Sequence, residues 1–434
     1  MTPSARISAA IEVLADLDAH IRPAADALKA WGLAHRFAGS GDRAAIASLV
    51  YDALRQKASA AFIMGEGTPR ALVLGMLKRT RGLDLAAIEK LFSGERFAPP
   101  PIFAQEREKL QAARNLDGAP AHVTGDYPEW LEAQFVETFG DERAAEGAAL
   151  AARAPLDLRV NSLKATREKL VDALSHLDPQ ATRWSPTGLR IPLSADGRHP
   201  PVTAEPAFQK GWFEVQDEGS QVAALLAGAR AGEQVLDLCA GSGGKTLALA
   251  AAMENRGQIF AHDADLRRLA PIYDRIKRAE ARNIQVRAPK GKADVLADLE
   301  GKIDLVLVDA PCTGTGVWRR HPDAKWRMRP GALAERVKEQ AALLDQAARF
   351  AKPGGRIAYV TCSVLEAENG AQVRNFLARA HGWAIVPVAE VCAVLGERGQ
   401  ILRAAARTGA EGILLTPKRT DTDGFFVSLL RSGS

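Results

Sequence analysis

The chain has 434 residues, of which 47% are hydrophobic and 25% charged, with a formal net charge of +5. That length exceeds one ordinary domain and suggests about two to four, and it can bury a large core without covalent staples. The mild positive balance permits a nucleic-acid partner without demanding one, and excludes the low-hydrophobicity, high-charge class of disordered chains.

Taken in chain order, the first residues mix acids and bases and carry no apolar leader-like stretch. No run of about 18 apolar residues follows anywhere, so no membrane span is expected and a cytoplasmic location fits. Ile7, Ile11 and Leu14 recur at helical spacing, as do Ile46, Leu49, Val50 and Leu54, and then Leu72, Val73, Met76 and Leu77. The run Ala98-Pro99-Pro100-Pro101 cannot continue a helix and reads as a linker. Pro128 to Phe139 forms a further helix that stops at Gly140, Leu156 to Val160 alternates like a strand, and Ser162 to Leu170 reads as helix. These pieces predict a helical domain over 1–115 and a small α/β subdomain over 116–205.

Beyond residue 206 the character changes. Strand-like runs at 234–238, 257–261, 284–286, 303–308 and 356–360 alternate with helical stretches, and 412–416 with 424–430 read as a closing hairpin. Buried-type strands alternating with helices predict an α/β, doubly wound parallel sheet over 206–434.

The first of these strands runs through Asp237 into Cys239, Ala240, Gly241, Ser242, Gly243, Gly244 and Lys245. A strand, a glycine-rich turn and a helix start let backbone approach a ligand closely. The next strand ends at Asp263, close to the roughly 20 residues after the turn at which an acid holds ribose hydroxyls. A P-loop also ends in Gly-Lys-Thr, but its leading glycine is replaced here by Cys239. A nicotinamide site would need glycine where Thr246 stands, and a plain structural turn remains open. An adenosine-type site with Asp263 on ribose accounts for the most residues.

The chain's four cysteines are Cys239, Cys312, Cys362 and Cys392. They lack paired zinc spacing, no disulfide framework is expected, and no metal is predicted. Two of them end strands: Asp309-Ala310-Pro311-Cys312 and Thr361-Cys362-Ser363. In open α/β sheets ligands bind beyond the carboxyl ends of the strands, so both thiols would face the crevice of the cofactor loop. Thiols there have a chemical use. Carbon 5 of cytosine is a poor nucleophile, and a thiolate added at carbon 6 makes it enamine-like. A carboxyl such as Asp309, its pKa raised, would serve ring nitrogen 3, and a second thiol would help expel the first. The opposing reading is that a free cysteine is often a small buried hydrophobe, which suits Cys239 and Cys392. Arg319, Arg320, His321, Lys325 and Trp326 interleave cations with an aromatic, as RNA contacts do, although a solvated basic loop would look the same.

These motifs, together with Arg319 to Asp323, Lys325-Trp326 and Asp423-Gly424-Phe425-Phe426, resemble the NOL1/NOP2/Sun family of RNA cytosine-5 methyltransferases. The resemblance is specific over the last 230 or so residues; residues 1–115 look like the helical NusB-like domain some members carry. It implies S-adenosylmethionine as cofactor, held by residues 239–245, Asp263, Arg268 and Asp309. It further implies Cys362 as the nucleophile, Cys312 in release and Asp309 on the cytosine. Ribosomal RNA of the small subunit is the implied substrate; transfer RNA, or an RNA-binding assembly factor of weak activity, are the alternatives, and a monomer is expected. One departure is an absent aspartate after the third strand, where Val286 to Gly291 offers Pro289 and Lys290, and Asp294 is the next acid.

Overall fold

The structure, a computed structural model, describes residues 1–112, 116–193, 199–291 and 293–433. The expected domain boundary at Asn115 lies outside the described residues. Two compact units emerge: Met1–Ala152 with Trp318–Arg329, and Arg153–Val317 with Pro330–Ser434.

The first unit is helical. Its longer helices are Pro3–Ala19, Ala24–Ala34, Ser40–Arg55 and Pro69–Arg79. Thr2 and Thr68 cap two of them, each accepting from a backbone N–H three residues on, with proline at the first helical position. The stripes expected from spacing converge: Ile7, Leu14, Ile46, Val50, Leu54, Val73, Met76 and Leu77 share one core. The proline run is not a linker. Gly94 N–H donates to Pro99 O at 3.0 Å, and Arg70 donates to the carbonyls of Pro100 and Pro101. Arg70 also pairs with Glu106 at 2.7 Å, and Leu110 enters the same core. Prolines lack donors but keep acceptors, so the run folds back onto an arginine. The expected Pro128–Phe139 helix forms as a turn at Glu129–Leu131 followed by Glu132–Phe139. It groups with this unit, where Phe135 stacks between Tyr127 and Trp318.

The second unit holds two sheets. The smaller is antiparallel, in the order β2-β3-β1-β4, from β1 (Leu156–Val160), β2 (Gln180–Ala181), β3 (Gly188–Ile191) and β4 (Phe213–Val215). The helix expected from Ser162 begins later, at Arg167, because Thr166 caps it. The larger sheet has a parallel half: β5 (Gln234–Asp237), β6 (Gln258–Ala261), β7 (Ile284–Val286), β8 (Ile303–Asp309) and β9 (Ala351–Thr361). Its antiparallel side is β10 (Trp383–Ile385), β11 (Arg407–Thr408), β12 (Ile413–Leu415) and β13 (Phe425–Ser432). The order is β11-β12-β13-β9-β8-β5-β6-β7, with β10 on β13. This is the expected Rossmann-like sheet with its closing hairpin. Strand order reverses between β5 and β8, which is where such sheets bind ligands. Among the described residues, no helix is long and apolar enough to cross a membrane.

Candidate active site

Strands β8 and β9 are parallel neighbours, with Asp309 opposite Val360. Both therefore deliver their ends to one edge, and the thiols of Cys312 and Cys362 meet there, Sγ to Sγ 3.3 Å apart. Both cysteines are half-buried and unoxidised. The loops are locked together. Gly316 N–H donates to Cys362 O at 2.9 Å, and Gly424 N–H donates to Gly316 O at 2.9 Å. A Cβ on Gly316 would lie 2.2 Å from Gly424 O, so the Asp423-Gly424-Phe425-Phe426 motif closes on the Cys312 loop only because both positions are glycine. The neighbouring Cys362 thiol and burial push the Cys312 thiol well above its ordinary pKa, so Cys312 holds its proton.

Sequence reasoning missed the support beneath this pair. Glu368 is fully buried and accepts from Thr313 N–H at 2.8 Å, from the Thr313 hydroxyl, and from Gln340 Nε2 at 3.0 Å. Gln340 Nε2 also reaches Pro311 O at 2.9 Å. One carboxylate thus fixes the residues on both sides of Cys312. Its only sequence signal was an acid six residues after Cys362. Glu368→Leu is expected to cost about 3–5 kcal/mol, because it strips buried donors of their acceptor. Denaturant melts would measure the loss, and faster alkylation of Cys312 would accompany it.

The cofactor loop leaves β5 and turns at Gly241 (φ +51) and Gly243 (φ +86) into helix Gly244–Ala252. Gly243 lies against Ile272, where a Cβ would come to 2.5 Å. Asp263, buried at the end of β6, accepts from Gly241 N–H at 2.9 Å, and Arg268 lies 3.6 Å from the same carboxylate. Asp263, expected as the acid on ribose, therefore also braces the glycine-rich loop. Lys245, from the helix's first turn, reaches across to Asp309 at 2.7 Å, with its ammonium 4.9 Å from the Phe425 ring centroid. Asp309 is thus half of an ion pair.

Burial and the charge of Asp309 push the Asp237 carboxyl up to about 7, against a hydrogen bond from Thr246. Unfolded, it would titrate near 4, so the folded chain binds the extra proton between those values. Stability conferred by that proton is lost as pH rises through about 7. A fall of about 2–3 kcal/mol between pH 5 and 8 is expected in denaturant titrations, and Asp237→Asn should flatten it.

Residues 224–431 match a family model described as 16S rRNA methyltransferase RsmB/F, and residues 127–196 match the ferredoxin-like domain of the same group. Ribosomal RNA small subunit methyltransferase B of Cronobacter sakazakii is 34% identical over 331 residues, covering 74% of this chain and 71% of that protein. The probable counterpart in Synechocystis is 30% identical, covering 81% and 77%. The chain belongs to the RsmB/F methyltransferase family. The crystal structure of PH0851 matches 99% of both chains at 26% identity, with a TM-score of 0.71. The structure of NSun6 from Pyrococcus horikoshii with SFG covers 71% of this chain and 98% of its own at a TM-score of 0.58; at 23% identity it speaks for the fold.

RsmB/F proteins are S-adenosylmethionine-dependent, and the residues present fit that cofactor. The turn is built from small residues with two left-handed glycines, a buried carboxylate stands at Asp263, and the buried Oδ1 of Asp237 has no hydrogen-bond partner. After β7, Arg287 N–H donates to Ala261 O at 2.8 Å and its side chain pairs with Asp298. Asp294 is exposed and caps its own turn through Leu296 N–H. Among the described residues, no group of three or more His, Cys, Asp or Glu side chains is placed to hold a metal.

The basic segment is where the RsmB/F chain departs most from expectation. Arg319 and Lys325 are buried, at 2% and 1% exposure, inside the helical unit. Lys325 Nζ donates to Arg55 O at 2.8 Å and to Asp126 O at 2.5 Å, and Trp326 Nε1 donates to Leu54 O at 2.6 Å. Burial pushes the Lys325 ammonium down to about 7. Lys325 and Trp326 cap the end of helix Ser40–Arg55, and the buried Arg319 and Lys325 side chains are not open to RNA. The error has a physical source: cations interleaved with aromatics also describe a plug that satisfies helix-end carbonyls. Arg320 is half-buried, and His321 is exposed.

Proposed function

We propose that this RsmB/F-family chain methylates carbon 5 of a cytosine in 16S ribosomal RNA through a covalent adduct on Cys362. The observation that carries the reading is the pair of thiols 3.3 Å apart beside the Lys245–Asp309 ion pair. Cys362 gives its proton to solvent and adds as the thiolate to carbon 6 of the base; the pair of the 5,6 double bond moves onto carbon 5 and is shared through the ring with nitrogen 3. Asp309, held by Lys245, accepts a hydrogen bond from the exocyclic amino group of the ring. Bound S-adenosylmethionine supplies an electrophilic methyl group. After transfer a water molecule takes the carbon 5 proton, the carbon–hydrogen electron pair closes the 5,6 double bond, and the Cys362–carbon 6 bond breaks with its pair leaving on sulfur as thiolate. Cys312, which keeps its proton, donates a hydrogen bond to the departing sulfur.

The named relatives of Cronobacter and Synechocystis act on small-subunit ribosomal RNA, which favours that substrate. Within the chain, residues 1–115 would bind RNA, with 116–205 as the small subdomain and 206–434 as the catalytic domain; Arg320 and His321 stay as RNA contacts. Incubation of the purified chain with methyl-labelled donor and either 16S ribosomal RNA or transfer RNA, followed by digestion to nucleosides, tests this. Label in 5-methylcytidine from 16S RNA is expected. Label in another nucleoside overturns the chemistry, and label from transfer RNA alone overturns the substrate.

A further inference from the structure

The helical unit contains an open cavity of about 730 Å³ that no expected site uses. Trp31, His35, Phe37 and Phe97 line it, together with Ser8 and Glu12. Trp31 and His35 stack 4.2 Å apart at 13°, and Phe37 meets His35 edge-on at 5.8 Å. Trp31 Nε1 donates to Glu12 Oε2 at 2.9 Å, which fixes the indole, while the other oxygen of Glu12 lies 3.9 Å from His35 Nε2.

Two features set this cavity apart from an ordinary packing gap. Phe37 and Phe97 are 73% and 68% exposed. Phe97 also sits at φ +69, a left-handed backbone that a bulky residue rarely adopts. The Ser8 hydroxyl holds it there by donating to Phe97 O at 2.9 Å. An exposed ring kept in a costly conformation points to a ligand contact.

The surroundings narrow the ligand. The Arg96 guanidinium lies 4.8 Å from the Phe97 ring centroid, and Arg36 is exposed between His35 and Phe37 in sequence. Flat aromatic walls suit a flat aromatic ligand, the two guanidiniums suit phosphates, and a carboxylate accepts from an exocyclic amine. An aliphatic peptide side chain would use neither charge. We propose that this cavity holds one unstacked, amino-bearing nucleobase of single-stranded RNA, with Arg36 and Arg96 on the adjoining phosphates. The inference rests on the reading that the chain acts on RNA, and adds a second base-binding site remote in sequence from Cys362.

Direct binding tests it, using full-length protein and fluorescent oligoadenylate and oligouridylate of about 12 nucleotides, a length within the range of known single-strand sites. Oligoadenylate is expected to bind more tightly, since uracil lacks the exocyclic amine. Phe37→Ala and Phe97→Ala, both at exposed side chains, should each weaken oligoadenylate binding by roughly 10-fold. The slope of log affinity against log salt should stay unchanged in them, and fall by about 1 in Arg96→Ala. Glu12→Leu, which removes the acceptor, should erase the preference for adenine. If the phenylalanine variants bind as the wild type does, or if the two oligomers bind alike, the cavity is not a base site. Methyl transfer by the wild type, measured in parallel, separates the two readings. Its absence counts against the RNA methyltransferase reading, whereas normal transfer with unaltered binding by the variants sinks the cavity alone.

Discussion

Cys362→Ala is expected to abolish methyl transfer, while Cys312→Ala should stop the reaction with RNA still attached to the protein. The two sulfurs lie 3.3 Å apart, yet their environments differ. The motif resemblance gives attack to Cys362, while the neighbouring Cys362 thiol and burial keep the proton on Cys312, which suits it to donate a hydrogen bond to a leaving thiolate. Without Cys362 no bond to carbon 6 forms, and turnover should fall by at least about a thousandfold. Without Cys312 the adduct forms but is released slowly. A protein–RNA species surviving denaturing electrophoresis should therefore accumulate in Cys312→Ala or Cys312→Ser and be missing from Cys362→Ala. Accumulation in Cys362→Ala instead would reverse the two roles.

Asp309→Ala should lower turnover about 100- to 1000-fold, a loss on the scale of one positioned electrostatic group. It should also reduce stability by about 1–3 kcal/mol. The second effect follows from Lys245, whose side chain is 8% exposed and would be left without its carboxylate. Asp309 is itself partly open to water, which keeps the cost below that of a fully buried pair. The double variant Lys245→Met, Asp309→Leu removes both charges and should regain most of the stability while remaining inactive. That split between melting point and turnover is the diagnostic result. Recovery of activity in the double variant would show that Asp309 serves the fold only.

Much of the catalytic unit was legible because each motif there terminates a strand. Asp237, Asp263, Asp309 and Cys362 each mark where an apolar run ends, and a parallel sheet necessarily gathers such ends on one edge. The reversal between β5 and β8 then sets the cofactor loop beside the thiols. Glu368 was not legible, because its role depends on Thr313 and Gln340 arriving from distant segments. Lys325 misled for a related reason. Charge and aromatic content describe what a side chain can do, and only packing decides whether it meets water or the carbonyls of Arg55 and Asp126.

The plug formed by Trp318–Arg329 bears on how this protein can be divided. Residues 318–329 follow the Cys312 loop directly, yet belong to the same compact unit as Met1–Ala152. A shortened chain beginning at Arg153 would keep every motif residue but strip this segment of its neighbours. Trp318 would lose Phe135, and Lys325 would lose the two carbonyls it now serves. Such a fragment would display indole and unsatisfied cation a few residues after Cys312, a recipe for aggregation. Grafting the second unit onto a different partner domain therefore requires redesigning those twelve positions as a polar loop, or carrying the helices along with it.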